Sequence, residues 1–339
     1  MPQISVVMTV YNGMPFLKES VQSILKQTFQ DFEFIIVDNL STDGSVEYLE
    51  SIQDKRVRLF KNKENMGQTK ALNFGILQAT APYVARMDAD DISLPYRFEK
   101  QIQCMETAPE VGVLGGWHEE IDENGRHLKT VRFPTDSHYL RACALSDGNL
   151  TPYILSHPTV IMRKDVLLKT GLYNEHIQVS QDFDLWFRFL RISQIKNLSL
   201  VVLKYRKNSN SVSHRKSDLM KDEVSTTVRK NILMLMPHFS DQDIALSLKF
   251  VQNRSLTSKD FLKANDLLKK IISDHFLGFS DERIKNKMFQ KVKFLYIPRL
   301  LVSHPITALL EFVKSIFLYP QFIFCLKFYK NIAKVCLGR

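Results

Sequence analysis

Three carboxylates fall within four residues at Asp88, Asp90 and Asp91, directly after an apolar run. Carboxylates this dense repel one another unless positive charge lies among them. Hard oxygen ligands with few protein partners suit Mg²⁺ or Mn²⁺ shared with a phosphate. For Asp88 and Asp90 together, metal binding is the preferred reading. Asp91, just before Ile-Ser-Leu-Pro, equally fits a cap on the following helix. A second acidic cluster, Gln181-Asp182-Phe183-Asp184, opens a later helix. By its residue types alone, Asp182 reads as an N-cap or first-turn acid favoured by the helix dipole. Two further polar groups, Thr9-Val10-Tyr11-Asn12-Gly13 and Asp38-Asn39-Leu40-Ser41-Thr42-Asp43, also end apolar runs. No G-x-G-x-x-G follows the first run, and no G-x-x-x-x-G-K-[ST] is present. A bound diphosphate would need another counter-charge, which a metal on Asp90 would supply.

The runs that carry these groups predict the elements. Residues 4–10 (ISVVMTV), 32–38 (FEFIIVD), 57–61 (VRLFK) and 82–88 (PYVARMD) read as buried strands. Helices are expected over 15–27, from VEYLESI after the turn cluster 41–45, over 67–79, and from Pro95 to about Met105. Strands alternating with helices predict an α/β fold, a doubly wound and mostly parallel sheet with flanking helices. In such a sheet, ligands bind beyond the carboxyl ends of the strands. That is where three of the polar clusters fall. After about residue 110 the alternation weakens: 111–117 reads as strand, 157–193 as a short strand followed by helices, and 199–206 as a late strand. Residues 216–339 read as mostly helical.

The chain has 339 residues, 45% hydrophobic and 24% charged, which are ordinary globular values and exclude disordered and disulfide-scaffold classes. Its four cysteines form no C-x-x-C pair. Met-Pro-Gln runs straight into an apolar strand, so no secretory leader is expected. The net charge of +10 is unevenly placed: residues 285–339 hold ten basic residues and one acid, Glu311. The chain therefore reads as a near-neutral domain with a basic, aromatic tail, unlike a uniformly basic nucleic-acid binder. On a helical wheel Phe322, Leu326, Tyr329 and Ala333 align, while Lys327, Lys330 and Lys334 fall opposite within an arc of roughly 60°. That pattern favours a helix lying in a membrane interface over one packed on the domain. No uninterrupted apolar run is long enough to span a bilayer.

Five segments, in order over about residues 3–215, resemble the family 2 glycosyltransferases, inverting nucleotide-sugar enzymes of the GT-A fold. ISVVMTVYNG resembles the family's first strand, and DNLSTDGS its D-D-x-S-x-D-x-[ST] loop. NMGQTKALNFGILQATAPY is similar to its N-x-G-x-x-x-A-x-N-x-G segment, and DADDISLPYRFEKQ to its metal motif with the following Pro and Arg. SQDFDLWFRF resembles its E-D-x-x-L-x-x-R helix. The resemblance implies that Asp38 and Asn39 meet the base and ribose of the donor nucleotide, with Thr9 and Tyr11 lining the same pocket. The family places an Asp at position 39 to accept from a pyrimidine N3–H; the Asn39 amide oxygen keeps an acceptor but loses the charge. Asp88 would reach the ribose or a metal-bound water, Asp90 would ligate Mn²⁺ or Mg²⁺, and Asp182 matches the catalytic base. Gln181 stands where the family has Glu. His214 lies where some relatives place a metal or phosphate contact. His157 either faces the acceptor or is structural, Asp184 is a structural acid or an acceptor contact, and Trp186 and Arg188 either touch sugar and phosphate or pack.

The resulting expectation has two regions. A GT-A domain over 1–215 transfers a sugar from a nucleotide diphosphate donor, UDP foremost, to a glycan or lipid-linked acceptor in surface polysaccharide synthesis, such as capsule or lipopolysaccharide. A helical region over 216–339, membrane-associated from about 285, holds the enzyme on the cytoplasmic face of the cell membrane. Nucleic acid is not an expected partner. One rival is a non-catalytic, membrane-anchored module that binds nucleotide sugar or glycan, motivated by Asn39 and Gln181. Another is a sugar nucleotidyltransferase, whose glycine- and arginine-rich first loop is missing here.

Overall fold

The computed structural model of the chain describes residues 1–137, 140 and 154–208, with isolated residues between 219 and 263. In chain order the first half contains β1 (Ile4–Val10), α1 (Leu17–Leu25), β2 (Phe32–Asp38), α2 (Ser45–Glu50), β3 (Val57–Lys61), α3 (Gln68–Leu77), β4 (Tyr83–Met87) and β5 (Ile92–Ser93). There follow α4 (Arg97–Thr107), β6 (Val111–Ile121), β7 (His127–Val131), a 3-10 turn (His157–Thr159), β8 (Ile161–Arg163), α5 (Lys164–Thr170), α6 (Gln181–Ile192) and β9 (Gln194–Arg206). The strands form one sheet in the order β3-β2-β1-β4-β8-β6-β9-β5, with β7 beside β6.

The first four strands are mutually parallel, with Val10 opposite Asp38 and Met8 opposite Met87. β2 is buried at every position, because helices cover both faces of a parallel sheet and leave no place for alternating polar residues. β8 runs antiparallel to both β4 and β6, and β9 runs parallel to β6. Hence β6 and β9 point the same way as β4. Six strands thus present their carboxyl ends along one edge of the sheet. The expected mostly parallel sheet is observed, with β5, β7 and β8 as its antiparallel members.

The helices fit this sheet closely. α1 buries Leu17, Val21 and Ile24 at helical spacing. α3 lies so near the sheet that a Cβ on Gly75 would stand 2.7 Å from Val7 Cγ1 and 3.2 Å from Val37 Cγ2. Only glycine lets the helix backbone approach that far.

Several elements differ from expectation, among them β6, which runs past residue 117 to Ile121. β9 starts at Gln194, well before residue 199, because polar Asn197 is buried inside the strand and its amide donates to the carbonyls of Pro134 and Ile154, at 2.9 Å each. β7 is an exposed edge pairing without an apolar run. His157 begins a 3-10 turn, and the strand follows only at Ile161.

The chain divides into two units, Met1–Arg141 with Tyr153–Thr227, and Ala142–Pro152 with Val228–Arg339. Most of the expected helical region, including the whole basic tail, lies outside the described residues. Among the described residues no helix is long and apolar enough to cross a membrane.

Candidate active site

The loop after β1 and the loop after β2 are stitched together at the carboxyl edge. Asn12, in a left-handed conformation (φ 52°), accepts from the Thr42 N–H at 2.8 Å, and its own N–H donates to Ser41 Oγ at 2.9 Å. The Gly13 N–H donates to Ser45 Oγ at 3.0 Å and the Met14 N–H to Asp43 Oδ2 at 2.8 Å. These bonds fix the frame in which the candidate nucleotide residues sit. Asp38 is buried at the end of β2, its Oδ2 accepting from the N–H groups of Leu40 and Ser41 at 3.1 Å each. Its Oδ1 is buried without a protein partner. Tyr11 is 56% exposed just past β1, and Thr9 is half-buried two residues before it.

Asn39 has a different employment from the one expected. Its Oδ1 already accepts from Asn62 Nδ2 at 3.0 Å and the Met66 N–H at 3.1 Å, while its Nδ2 donates to Asn65 at 2.7 Å. An amide oxygen has two lone pairs, and both are taken. Asn39 therefore fastens the 62–66 loop, and no lone pair is left for a base N3–H in this arrangement.

The acidic cluster follows β4. One oxygen from each of Asp88, Asp90 and Asp91 lies within 4.8 Å of the others. Asp88 is gripped by both terminal nitrogens of the buried Arg86, two residues earlier and so on the same face of the strand. Asp91 caps no helix. Its Oδ1 accepts from the Arg206 N–H at 2.8 Å, and its Oδ2 is buried without a partner. Burial and the neighbouring Asp88 push the Asp90 carboxyl up to about 6; burial and the Asp90 charge hold Asp91 well above the ordinary range. Both shifts express the same shortage of positive charge. Hard oxygen donors, crowded and short of counter-charge, fit a Mg²⁺ or Mn²⁺ ion at Asp90 with Asp88 beside it.

Two arginines hold this loop, and one of them, Arg97, is the arginine that follows the acidic motif in sequence. Arg206 closes β9; its Nε donates to the Asp90 carbonyl at 2.9 Å and its Nη2 to Glu19 at 2.6 Å. Arg97, fully buried, donates to the carbonyls of Arg86 at 2.9 Å and Val160 at 3.2 Å. Burial and the nearby Arg86 bring its guanidinium down to about 9. The one sequence hint to Arg86 was a charge inside an apolar strand, in step with Asp88.

On the other side stands α6. Asp182 lies in its first turn and accepts from the Phe183 N–H at 2.9 Å. Its enclosure by protein raises the carboxyl to about 6, opposed by the charge of Arg86 and reinforced by that of Asp88. The fold thus brings Asp182 and the acidic cluster into electrostatic reach of one buried guanidinium. Gln181 is buried, with its Nε2 3.5 Å from Gln68.

The remaining candidates turn inward. Asp184 pairs with Arg188 at 2.7 Å, and Arg188 Nη1 donates to the carbonyls of Thr170 and Leu172 at 2.5 Å each. Trp186 is 1% exposed and packs on Phe189 and His157. Asp184 and Arg188 thus spend their charges on each other and on backbone carbonyls, while Trp186 packs its ring inside the fold with its indole Nε1 buried and without a partner. His157 shares a 2.7 Å hydrogen bond with the Tyr173 hydroxyl, and burial, then Arg86, holds its imidazole well below the usual range and neutral. It is a satisfied, uncharged histidine beside the site. His214 lies outside the described residues.

Comparison with known proteins fits this geometry. The family model for glycosyl transferase family 2 matches residues 5–169. The amylovoran biosynthesis glycosyltransferase AmsE of Erwinia amylovora is 34% identical over 230 residues, 65% of this chain and 82% of that protein. The chain belongs to glycosyl transferase family 2. It is a glycosyltransferase, and its sheet is of the GT-A type. Among other relatives, the uncharacterized glycosyltransferase MJ1057 of Methanocaldococcus jannaschii is 37% identical over 191 residues, 55% of this chain. This chain spans 64% of that relative's length. S. aureus TarS residues 1–349, solved in complex with UDP-GlcNAc, shares the fold, with a TM-score of 0.57 at 18% identity over all of this chain and 93% of that one.

Proposed function

We propose that this family 2 enzyme transfers one sugar, with inversion, from a UDP-linked donor to a glycan or lipid-linked acceptor during surface polysaccharide synthesis. The observation that carries the reading is the pairing of two acidic sites across Arg86. One is a crowded carboxylate cluster suited to a cation at Asp90, and the other is the protein-enclosed carboxylate of Asp182. The amylovoran enzyme supports the polysaccharide class and the UDP-GlcNAc complex of TarS supports the nucleotide.

In-line displacement at the anomeric carbon requires the acceptor hydroxyl to lose its proton as it attacks. Asp182 takes that proton; a carboxylate with a pKa near 6 is ionised at neutral pH yet more basic than an ordinary aspartate. Arg86 holds the Asp88 carboxylate in place, and Arg206 fixes the backbone of Asp90. Tyr11 covers the base, and the free lone pairs of Asp38 Oδ1 accept from it or from the ribose. Asp90, with Asp88 beside it, would hold a divalent cation, which would supply charge stabilisation for the departing diphosphate. The protein works at the cytoplasmic membrane face, to which its basic, aromatic tail is attracted.

Thermal stabilisation tests the donor site, because a ligand that binds only the native state raises its stability by mass action. UDP, dTDP, GDP and CDP are each added with and without Mn²⁺ to wild type and Asp90→Ala. UDP should raise Tm in a Mn²⁺-dependent way, by ~5 °C at saturating ligand, and Asp90→Ala should lose the Mn²⁺-dependent part. A shift with GDP alone would reassign the nucleotide. An Asp90→Ala protein with the full Mn²⁺-dependent shift would remove Asp90 from the metal site.

A further inference from the structure

The helix that carries Asp182 begins in an unusual way. The N-terminal N–H groups of a helix have no partner within it and need acceptors. Ser180, the residue before α6, makes no side-chain bond to its own helix. Instead the carboxylate of Glu223, 43 residues further along the chain, collects the donors that lead into the helix. The Gln178 N–H donates to its Oε1 at 2.8 Å, and the Val179 N–H, Ser180 N–H and Ser180 hydroxyl all donate to its Oε2 at 3.0 Å. Ser180 is 2% exposed, and its two bonds and that of Val179 are partly sheltered from water, while the Gln178 bond lies at the surface.

The same loop is held on its other side by α3. Asn73 donates to the Tyr173 carbonyl at 2.9 Å and accepts from the Tyr173 N–H at 3.0 Å, and Thr69 Oγ1 lies 3.4 Å from the Ile177 carbonyl. Residues 173–177 are therefore tied to the core of the sheet, and 178–180 to Glu223. Asp182 follows at once, its carboxylate turned back onto the Phe183 N–H. Without Glu223, three converging N–H groups would lose their common acceptor. The first turn of α6 would lose a negative charge where the helix dipole favours one.

We propose that Glu223 is a positioning residue for glycosyl transfer: its carboxylate fixes the 178–180 backbone and thereby the direction of Asp182. The proposal rests on the reading of Asp182 as the base. A displacement of about 1 Å in a catalytic group costs on the order of 100-fold in rate, whereas donor binding on the opposite strand ends needs no contribution from this loop. The expected signature is therefore a loss confined to kcat.

The full-length protein is assayed by UDP release from whichever of UDP-glucose, UDP-galactose and UDP-GlcNAc the wild type turns over best. Glu223→Ala should lower kcat by ~10- to 100-fold with donor KM within about twofold. Glu223→Asp should recover part of the loss, and added formate should restore Glu223→Ala by filling the vacated cradle while leaving wild type unchanged. Glu223→Gln, nearly isosteric, keeps one acceptor oxygen; hydrogen exchange should quicken at amides 178–182 by ~10-fold or more, a readout that needs no substrate. Wild-type kcat in Glu223→Ala overturns the proposal. So does a loss of kcat that neither formate nor Glu223→Asp relieves, or unchanged exchange at 178–182 in Glu223→Gln. Asp182→Asn is run in parallel. If it keeps transfer, the base assignment fails; if it loses transfer while the Glu223 variants match wild type, only the Glu223 proposal fails.

Discussion

Asp182 is a first-turn acid by sequence, and helix starts collect such acids for reasons unrelated to catalysis. Its distinction comes from the fold, which surrounds it with protein and raises its carboxyl to about 6. A base works only when deprotonated. The rate should therefore be flat above about pH 7 and fall tenfold per unit below about pH 6. A kcat/KM profile over pH 4.5–8 checks this, and an acid limb near pH 4 would mean the burial does not act on the reacting carboxylate. Types and spacing alone were enough to single out Asp88 and Asp90, since three acids in four residues are hard to explain otherwise. Their wardens were less visible. Arg206 meets Asp91 across 115 residues and Glu223 meets Ser180 across 43, and no local pattern encodes such pairings. Asn39 is the converse case: its position in the motif was clear, but only the fold shows its one amide oxygen accepting from Asn62 and Met66 and its amide nitrogen donating to Asn65.

At the level of elements, β1 and β2 end with their apolar runs, at Val10 and at Asp38 just past Val37. Parallel strands covered on both faces leave an uninterrupted apolar signal, which is why their bounds could be read directly. β5, two residues long, and β7, exposed at an edge, carry no such signal and exist through pairing alone. Gly75 marks where α3 meets the sheet. Gly75→Ala gains helix propensity of up to ~1 kcal/mol but drives a methyl to within 2.7 Å of Val7. The net cost should be about 1–3 kcal/mol, a fall in Tm of several degrees, whereas Leu77→Ala on the exposed side of the same helix should change stability by less than about 0.5 kcal/mol. Because Asn73 on this helix holds the loop before Asp182, Gly75→Ala should also slow turnover. A Gly75→Ala protein as stable as wild type would mean that α3 rides higher on the sheet than described.

Taken as a whole molecule, the chain is divided electrostatically: nearly neutral through residue 284, with nine net positive charges after it. If the tail acts as the proposed membrane anchor, anionic lipid would attract it by about 1 kcal/mol per basic residue at the surface, and less as salt rises. The full-length protein should float with vesicles containing phosphatidylglycerol at low salt, and float poorly with pure phosphatidylcholine. Lys327→Glu with Lys330→Glu and Lys334→Glu should weaken flotation; flotation indifferent to lipid charge and to these changes would point to self-association instead. The division of labour within the enzyme is the larger claim: donor held at the ends of β1, β2 and β4, and proton removal from α6. Single-turnover transfer and donor binding measured on the same preparation of Asp182→Asn separate the two. Transfer should fall by at least ~1,000-fold while the Kd for the UDP-sugar stays within about threefold of wild type. Transfer retained within tenfold of wild type, or donor binding lost along with it, would contradict the assignment of Asp182 as the base.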